Sequence, residues 1–243
     1  MGLFDKMKSE GLQETGDSLG GNFEAVPSGV YPAKIKVAYH GTSGSSKAES
    51  ITVIADLAGN EYKETIWITK GTGENYYLSK DGKNTKIPLP GFVTVDELCL
   101  ITTGESLSDM QTEDKVVSIY NYDQKKDVPT TVPVLTQLIG QELQLGILRQ
   151  IVDKQKKNDA GVYENTGETR NENVINKVFH AETGRTVSEY RHEVESSEFL
   201  DAWKKRNDGK DRNRAKGVAA GNSGASGSGR PGGDAPAAKK LFG

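Results

Sequence analysis

The chain has few of the residues that enzymes and secreted proteins use for chemistry and for covalent stability. Its 243 residues include one cysteine and three histidines. One cysteine excludes an internal disulfide, and one Cys with three His cannot supply a Cys/His zinc finger. Cys99 lies beside Leu98, Leu100 and Ile101. We therefore expect it to be a small buried core residue, which is a common fate of free cysteine, and not a catalytic thiol.

Catalytic and membrane signatures are also missing. The sequence contains no HExxH, GxSxG or DxD-type calcium motif. Residues 41–47 resemble a phosphate loop but lack its Gly-Lys-Ser/Thr ending. No apolar run approaches the ~18 residues of a membrane span, and the N-terminus lacks the apolar run of a signal peptide. The sequence predicts a cytoplasmic, non-enzymatic protein with no cofactor, no metal and no membrane partner.

The charge of the chain changes sign near Trp203. Residues 203–243 carry a net charge of +7 in a segment dominated by Gly, Ala and Ser, whereas residues 1–202 carry −10. A segment this polar cannot bury a core, so residues 208–243 are predicted to be a disordered tail. An apolar and basic tip on a flexible tether is typical of a partner-binding peptide, and an inert tail is the alternative. The tip consists of Lys239, Lys240, Leu241 and Phe242.

Short alternating strands joined by Gly, Asn and Asp turns dominate residues 29–207, which we predict to be the folded domain behind a flexible arm at residues 1–28. This pattern predicts a mainly β fold with long loops, built on a closed or sandwiched antiparallel sheet. Strands are predicted at residues 30–39, 51–57, 62–69, 76–78, 115–122, 143–152, 174–180 and 186–190. Residues 95–103 fit a helix or a buried strand, residues 153–172 a mobile loop, and residues 197–206 a C-terminal helix.

The strand at residues 62–69 offers the best candidate site. Side chains alternate along a strand, so Lys63, Thr65 and Trp67 share one face. An aromatic ring held beside cations on a sheet surface can stack on nucleic-acid bases, at about 1–3 kcal/mol per base. The alternative is that Trp67 covers the core beneath a loop, because tryptophan is mostly buried in many folds.

A second segment also places aromatic rings beside cations. Tyr76 and Tyr77 precede a turn that carries Lys80, Lys83 and Lys86. Neighbouring strand residues face opposite ways, so one tyrosine can be buried while the other is exposed, and the lysines can neutralise phosphates. The combination indicates a single-stranded DNA interface, with an ordinary charged hairpin as the alternative. Further candidates for the same surface are Tyr120, Tyr122 and Arg149.

Several strings resemble single-stranded DNA-binding proteins of bacteriophages, in particular those of podophages that package their own RNA polymerase in the virion. They are NYYLSKDGK and PLPGF within residues 75–92, LIGQEL at residues 138–143, TRNEN at residues 169–173 and VFHAETG at residues 178–184. The resemblance covers residues 25–195. It implies an OB-fold, a partly open five-stranded barrel, in a protein of phage DNA replication and recombination in the infected host's cytoplasm.

The resemblance also implies a protein partner for the C-terminus, either the host RNA polymerase, whose transcription it would activate, or phage replication proteins. Many proteins of this kind end in an acidic tip, whereas this tail is basic, which favours a different partner surface. Two alternatives to DNA binding follow from the residues. One is a protein-binding adaptor or virion structural protein with no DNA affinity. The other is a small nuclease, which would need a metal-binding carboxylate cluster that the sequence does not show.

Overall fold

The computed structural model describes residues 25–81, 83–121, 124–158 and 163–216. These residues form ten strands and three α-helices, and only the β10–β8 pairing is parallel. The predicted mainly β, antiparallel fold is confirmed, but two helices precede the predicted C-terminal one. The elements are β1 (Gly29–Thr42), β2 (Glu49–Leu57), β3 (Asn60–Trp67), β4 (Tyr76–Leu78), β5 (Lys86–Pro88), α1 (Pro90–Thr103), β6 (Glu113–Asn121), β7 (Lys126–Val134), β8 (Glu142–Lys157), β9 (Tyr163–His180), α2 (Val187–Arg191), α3 (Glu198–Asn207) and β10 (Arg212–Asn213).

Five strands in the order β3–β2–β1–β8–β9 form the body of the main sheet. The first half of β1 pairs with β8 and its second half with β2, so β1 joins the two ends of the sheet. Within the described ranges, β3 pairs only with β2 and β9 only with β8, so the sheet does not close into a barrel. Helix α1 packs against both β3 and β9 on this open side.

The main core lies between the inner face of the sheet and α1. Strand β2 is buried on both faces, because Ile51 and Val53 point into this core while Ile54 packs on the other side beneath the β6–β7 hairpin. Cys99 belongs to the main core, as predicted. A separate small core beneath α3 consists of Leu148, Phe179, Leu200 and Trp203.

Two predicted segments have a different structure. Residues 153–172, predicted to be a mobile loop, largely continue β8 and β9 as a ribbon that reaches the Lys157–Tyr163 pair. Residues 186–190, predicted to be a strand, form α2. The Thr186 hydroxyl accepts the Glu189 backbone N–H at 3.2 Å, and the Glu189 carboxylate accepts the Thr186 N–H at 2.8 Å. This reciprocal capping box satisfies two donors at the helix start, which favours a helix over a strand.

Both ends of the described chain pack on the domain. Residues 25–28 and 208–216, which the sequence assigned to the arm and the tail, make long-range hydrogen bonds. The Gly209 N–H donates to the Ser28 carbonyl at 2.8 Å, and the Arg214 N–H donates to the Ile151 carbonyl at 2.8 Å. Residues 1–24 and 217–243, with the predicted tip at Lys239, Lys240, Leu241 and Phe242, lie outside the described residues.

Candidate nucleic-acid interface

Strand β3 presents a polar face on which one large aromatic ring is exposed. Tyr62 and Ile66 are buried in the core, whereas Lys63 and Thr65 are exposed and Trp67 is 48% exposed. This alternation confirms the predicted facing of the strand. Trp67 therefore does not cover the core, and its indole is accessible to a ligand.

The strand neighbours of Trp67 and Thr65 on β2 are small hydroxyl side chains. Ser50 pairs with Trp67, and Thr52 pairs with Thr65, with 2.9 Å between the two threonine hydroxyls. Ser50 and Thr52 are almost fully buried. These hydroxyls are therefore covered, and the accessible part of this face is the exposed indole of Trp67 with Thr65 and Lys63 on the same strand.

The backbone of Trp67 is held by the start of α1. A Cβ added to Gly91 would lie 2.1 Å from the Trp67 carbonyl oxygen, so only glycine fits where the helix meets the end of β3. Just beyond Trp67, the Ile68 N–H donates to the Glu49 carbonyl at 2.9 Å. The backbone is therefore fixed on both sides while the ring stays open, which limits the entropy that a ligand must remove on binding.

The β4–β5 hairpin leaves the sheet after Trp67 and returns to it at Gly91. Tyr76 on this hairpin is partly buried, and two lysine ammonium groups lie over its ring, Lys86 Nζ at 4.5 Å and Lys70 Nζ at 5.7 Å from the ring centroid. Tyr77 points to the opposite face and is 45% exposed. Neither tyrosine is a core residue, and Tyr77 is the one that faces solvent.

The turn of this hairpin exposes lysines, whereas its acid, Asp81, accepts hydrogen bonds within the turn. Asp81 accepts hydrogen bonds from the Ser79 hydroxyl at 2.5 Å and from the Lys83 backbone N–H at 3.1 Å. These hydrogen bonds, the Ser79 bond foremost, lower the pKa of the Asp81 carboxyl. Lys80 and Lys83 are exposed. Within the part of the chain that the structure describes, no carboxylate forms an ion pair with the predicted lysines Lys63, Lys80, Lys83 and Lys86.

The segment at residues 63–91 has a net charge opposite in sign to that of the body, although the exposed acid Glu49 of β2 lies next to it. Residues 63–91 contain five lysines and three acids, a net charge of +2, although residues 1–202 together carry −10. Of these acids, Glu64 points inward, Glu74 pairs with Lys70 at 3.4 Å, and Asp81 is held within its turn. The potential that a ligand meets depends on such local charges and not on the total.

Of the other predicted site residues, Tyr120 and Arg149 lie on strands other than β3. Tyr120 is 44% exposed, but it alternates to the face of β6 opposite Val117 and Ile119, which pack over the main sheet. Arg149 lies on β8 and donates two hydrogen bonds to Asp211, at 2.6 and 3.1 Å. Tyr122 lies outside the described residues.

Two contributors to this surface were not predicted from the sequence. Lys70 lies over the Tyr76 ring because a turn closed by the Gly73 N–H to Lys70 carbonyl bond brings the chain back. Leu78 is 50% exposed at the end of β4. The glycines at positions 71 and 73 were the available signal for the turn.

On the inner side of β3, a carboxyl group links the two ends of the open sheet. Glu64 Oε2 accepts the Tyr62 hydroxyl and the Ile175 N–H of β9, both at 2.7 Å. Burial raises the pKa of Glu64 to about 7, the two hydrogen bonds lower it, and the charge of Glu172 raises it. Burial also raises the pKa of Tyr62 well above its usual range. The Glu64 carboxyl is therefore a structural contact between β3 and β9 across the open side of the sheet.

Comparison of the chain with protein-family models, with curated proteins and with solved structures gives no match. Over the described ranges, no helix has both the length and the apolar character needed to cross a membrane. No group of three or more His, Cys, Asp or Glu side chains in those ranges is placed to hold a metal ion.

Proposed function

We propose that the chain binds single-stranded DNA with little sequence preference and serves phage DNA replication and recombination. The observation that carries this proposal is the indole of Trp67, 48% exposed on a polar face of β3 that also carries Lys63, a lysine with no ion-pair partner among the described residues. An aromatic ring in such a setting stacks on any base, because every base has a π-face. The lysines beside it would neutralise the phosphates.

The strand arrangement supports an OB-fold as the framework for this interface. Strands β1, β2 and β3 precede α1, and β8 and β9 follow, with β1 paired to both β2 and β8. OB-folds bind nucleic acid on the face of their second and third strands. In such a fold Trp67 of β3 would lie on that face, and the β6–β7 hairpin would be an insertion before β8.

The proposal is tested by replacing Trp67 with alanine. Loss of one base stack of about 1–3 kcal/mol should weaken binding about 5- to 150-fold. The measurement is the fluorescence anisotropy of a labelled oligothymidylate, titrated at several salt concentrations because phosphate contacts make affinity fall steeply with salt. Tyr163→Ala is the matched control, since Tyr163 is 64% exposed on the distant β8–β9 ribbon.

Two results would reject the proposal. One is a wild-type protein that does not bind the oligonucleotide even at low salt. The other is a Trp67→Ala variant whose affinity matches that of the Tyr163→Ala control.

A second candidate function is that of a protein-binding adaptor with no DNA affinity. The exposed apolar side chains of Tyr77 and Leu78 at the end of β4 favour it, because such residues also suit a protein partner. For the C-terminal residues we propose a protein partner in either case, with host RNA polymerase or phage replication proteins as the candidates. The salt titration separates the two functions.

A further inference from the structure

The last described part of the chain, residues 204–216, forms a basic strip on the domain. It contains seven cations and two acids. Six of the cations are exposed, and Lys204 is partly buried. We infer that this strip binds the phosphate backbone of a nucleic acid at a second place, away from Trp67. The inference rests on the nucleic-acid binding proposed above.

The backbone of the basic strip is fixed to the domain. Strand β10 pairs with Gln150 and Ile151 of β8, and the Lys216 N–H donates to the Asp153 carboxylate at 2.9 Å. Nearer to α3, the Ser28 hydroxyl donates to the Lys210 carbonyl at 2.6 Å. Cations on a fixed backbone lose less conformational freedom on binding a polyanion than cations on a flexible tail.

Two acids at the basic strip accept hydrogen bonds, and a third, Asp208, is exposed. Asp211 receives two hydrogen bonds from Arg149, and Asp153 receives the Lys216 N–H. None of the seven cations of the strip forms an ion pair with a carboxylate in the described residues. The strip therefore presents mainly positive charge to solvent.

Helix stabilisation accounts for only part of this charge. Lys204, Lys205 and Arg206 occupy the last turn of α3, where cations interact favourably with the helix dipole. Lys210 Nζ donates to the carbonyls of residues 205 and 206, at 3.1 and 2.9 Å, and so caps the same helix. Arg212 and the cations after it lie beyond the helix end, so this role does not explain them.

A cleft between α3 and β10 gives the basic strip a defined shape. Its volume is about 570 Å³, and Arg206, Lys210 and Arg212 line it together with Asp211 and the buried Trp203. A concave surface lined by cations concentrates positive potential, which attracts phosphate groups.

The basic strip and Trp67 lie at opposite ends of β1. Gly29 at the start of β1 pairs with Ile147 of β8, whereas Gly41 near its end pairs with Ser50, the partner of Trp67. At roughly 3.3 Å per strand residue, β1 between Gly29 and Gly41 spans at most about 40 Å, and the strip lies beyond Gly29 because it pairs with Gln150 and Ile151 of β8. A long oligonucleotide bound at Trp67 should therefore contact the strip more than one confined to a single OB-fold site.

The test removes four charges from the basic strip and measures the salt dependence of binding to an oligothymidylate of about 30 nucleotides, longer than one OB-fold site. Each lost phosphate contact should reduce the slope of log K against log salt by about 0.7, hence by about 3 in total. Binding of an oligothymidylate of about 8 nucleotides should be little changed. The fluorescence quenching of Trp67 by bound DNA should persist. The variant combines Arg206→Gln, Arg212→Gln, Arg214→Gln and Lys216→Gln.

A control variant removes the same charge from lysines that already face glutamates in ion pairs, and its slope should stay near that of the wild type. It combines Lys34→Gln, Lys36→Gln, Lys115→Gln and Lys154→Gln. Thermal unfolding verifies that both variants are folded.

The outcomes separate the two proposals. Suppose that the wild type binds DNA and its Trp67 fluorescence is quenched. If the salt slope is then unchanged in the strip variant, or changes equally in both variants, only the inference about the basic strip is rejected. A strip variant that keeps the wild-type salt slope but no longer binds an acidic protein partner also rejects the inference that the strip binds nucleic acid. A wild type that binds neither oligonucleotide at low salt overturns DNA binding and this inference with it.

Discussion

Replacing Glu64 with glutamine should stabilise the domain at alkaline pH and flatten its pH dependence between about pH 5 and pH 7. Burial raises the pKa of Glu64 to about 7, so the ionised carboxylate is disfavoured in the folded state. Glutamine keeps a carbonyl oxygen that can accept the Tyr62 hydroxyl and the Ile175 N–H. The substitution therefore removes the charge and retains both contacts across the open side of the sheet.

The sign and size of this change in stability follow from the pKa of Glu64 in the unfolded and in the folded state. The usual value for this carboxyl is 4.5, and the folded value is about 7. Between them the folded protein holds the proton more tightly than the unfolded chain, so the free energy of unfolding falls as pH rises and stays low above pH 7. At about 1.4 kcal/mol per pH unit, the loss is about 3 kcal/mol. Glu64→Gln should recover this amount at about pH 8 and little of it at about pH 5.

The assay is urea unfolding followed by the fluorescence of the buried Trp203, at about pH 5 and about pH 8. Glu61→Gln is the matched control, because Glu61 lies on the same strand but is exposed and pairs with Lys36. Its effect should be small at both pH values. A Glu64→Gln variant that is no more stable than the wild type at alkaline pH, or equally stabilised at both, would refute the reasoning.

One further substitution and one deletion test other parts of the structure. Gly91→Ala places a Cβ 2.1 Å from the Trp67 carbonyl oxygen and should cost about 1–3 kcal/mol, because α1 or β3 must shift. Gly44→Ala, where nothing lies within 4 Å, is its control in thermal unfolding, and equal melting temperatures would contradict the contact. Deletion of residues 217–243 should leave a folded, DNA-binding domain that no longer captures its protein partner in a pull-down. Loss of folding or of DNA binding on that deletion would contradict the proposed role of the tail.

The facing of strand residues was predictable because it depends on local geometry alone. Alternation placed Trp67 on the polar face and Tyr62 in the core, and both positions are confirmed. The helix α2 was missed because five residues are too short to show a helical period, although the Thr186–Glu189 spacing was a capping signal. Which of Tyr76 and Tyr77 faces solvent was not predictable, because it depends on how the hairpin packs.

Strand β7 and the role of Arg149 were missed for different reasons. Pro129 and Pro133 argue against a strand, but β7 pairs with β1 only through Val134, so it is an edge strand for most of its length and tolerates proline. Arg149 pairs with Asp211, 62 residues later in the chain. No local pattern predicts a contact between residues so far apart in the chain. The ion pair with Asp211 places Arg149 at the basic strip.

The acidic body is compatible with a polyanionic ligand because its cations are divided into two groups. Eight ion pairs in the described residues hold lysines and arginines against carboxylates, and none includes Lys63, Lys80, Lys83 or Lys86. The cations of the basic strip are likewise outside these pairs. Unpaired cations can release counterions when phosphate binds, whereas paired ones must first break an ion pair. Affinity should therefore follow the position of a lysine and not the net charge of the chain, which is −3.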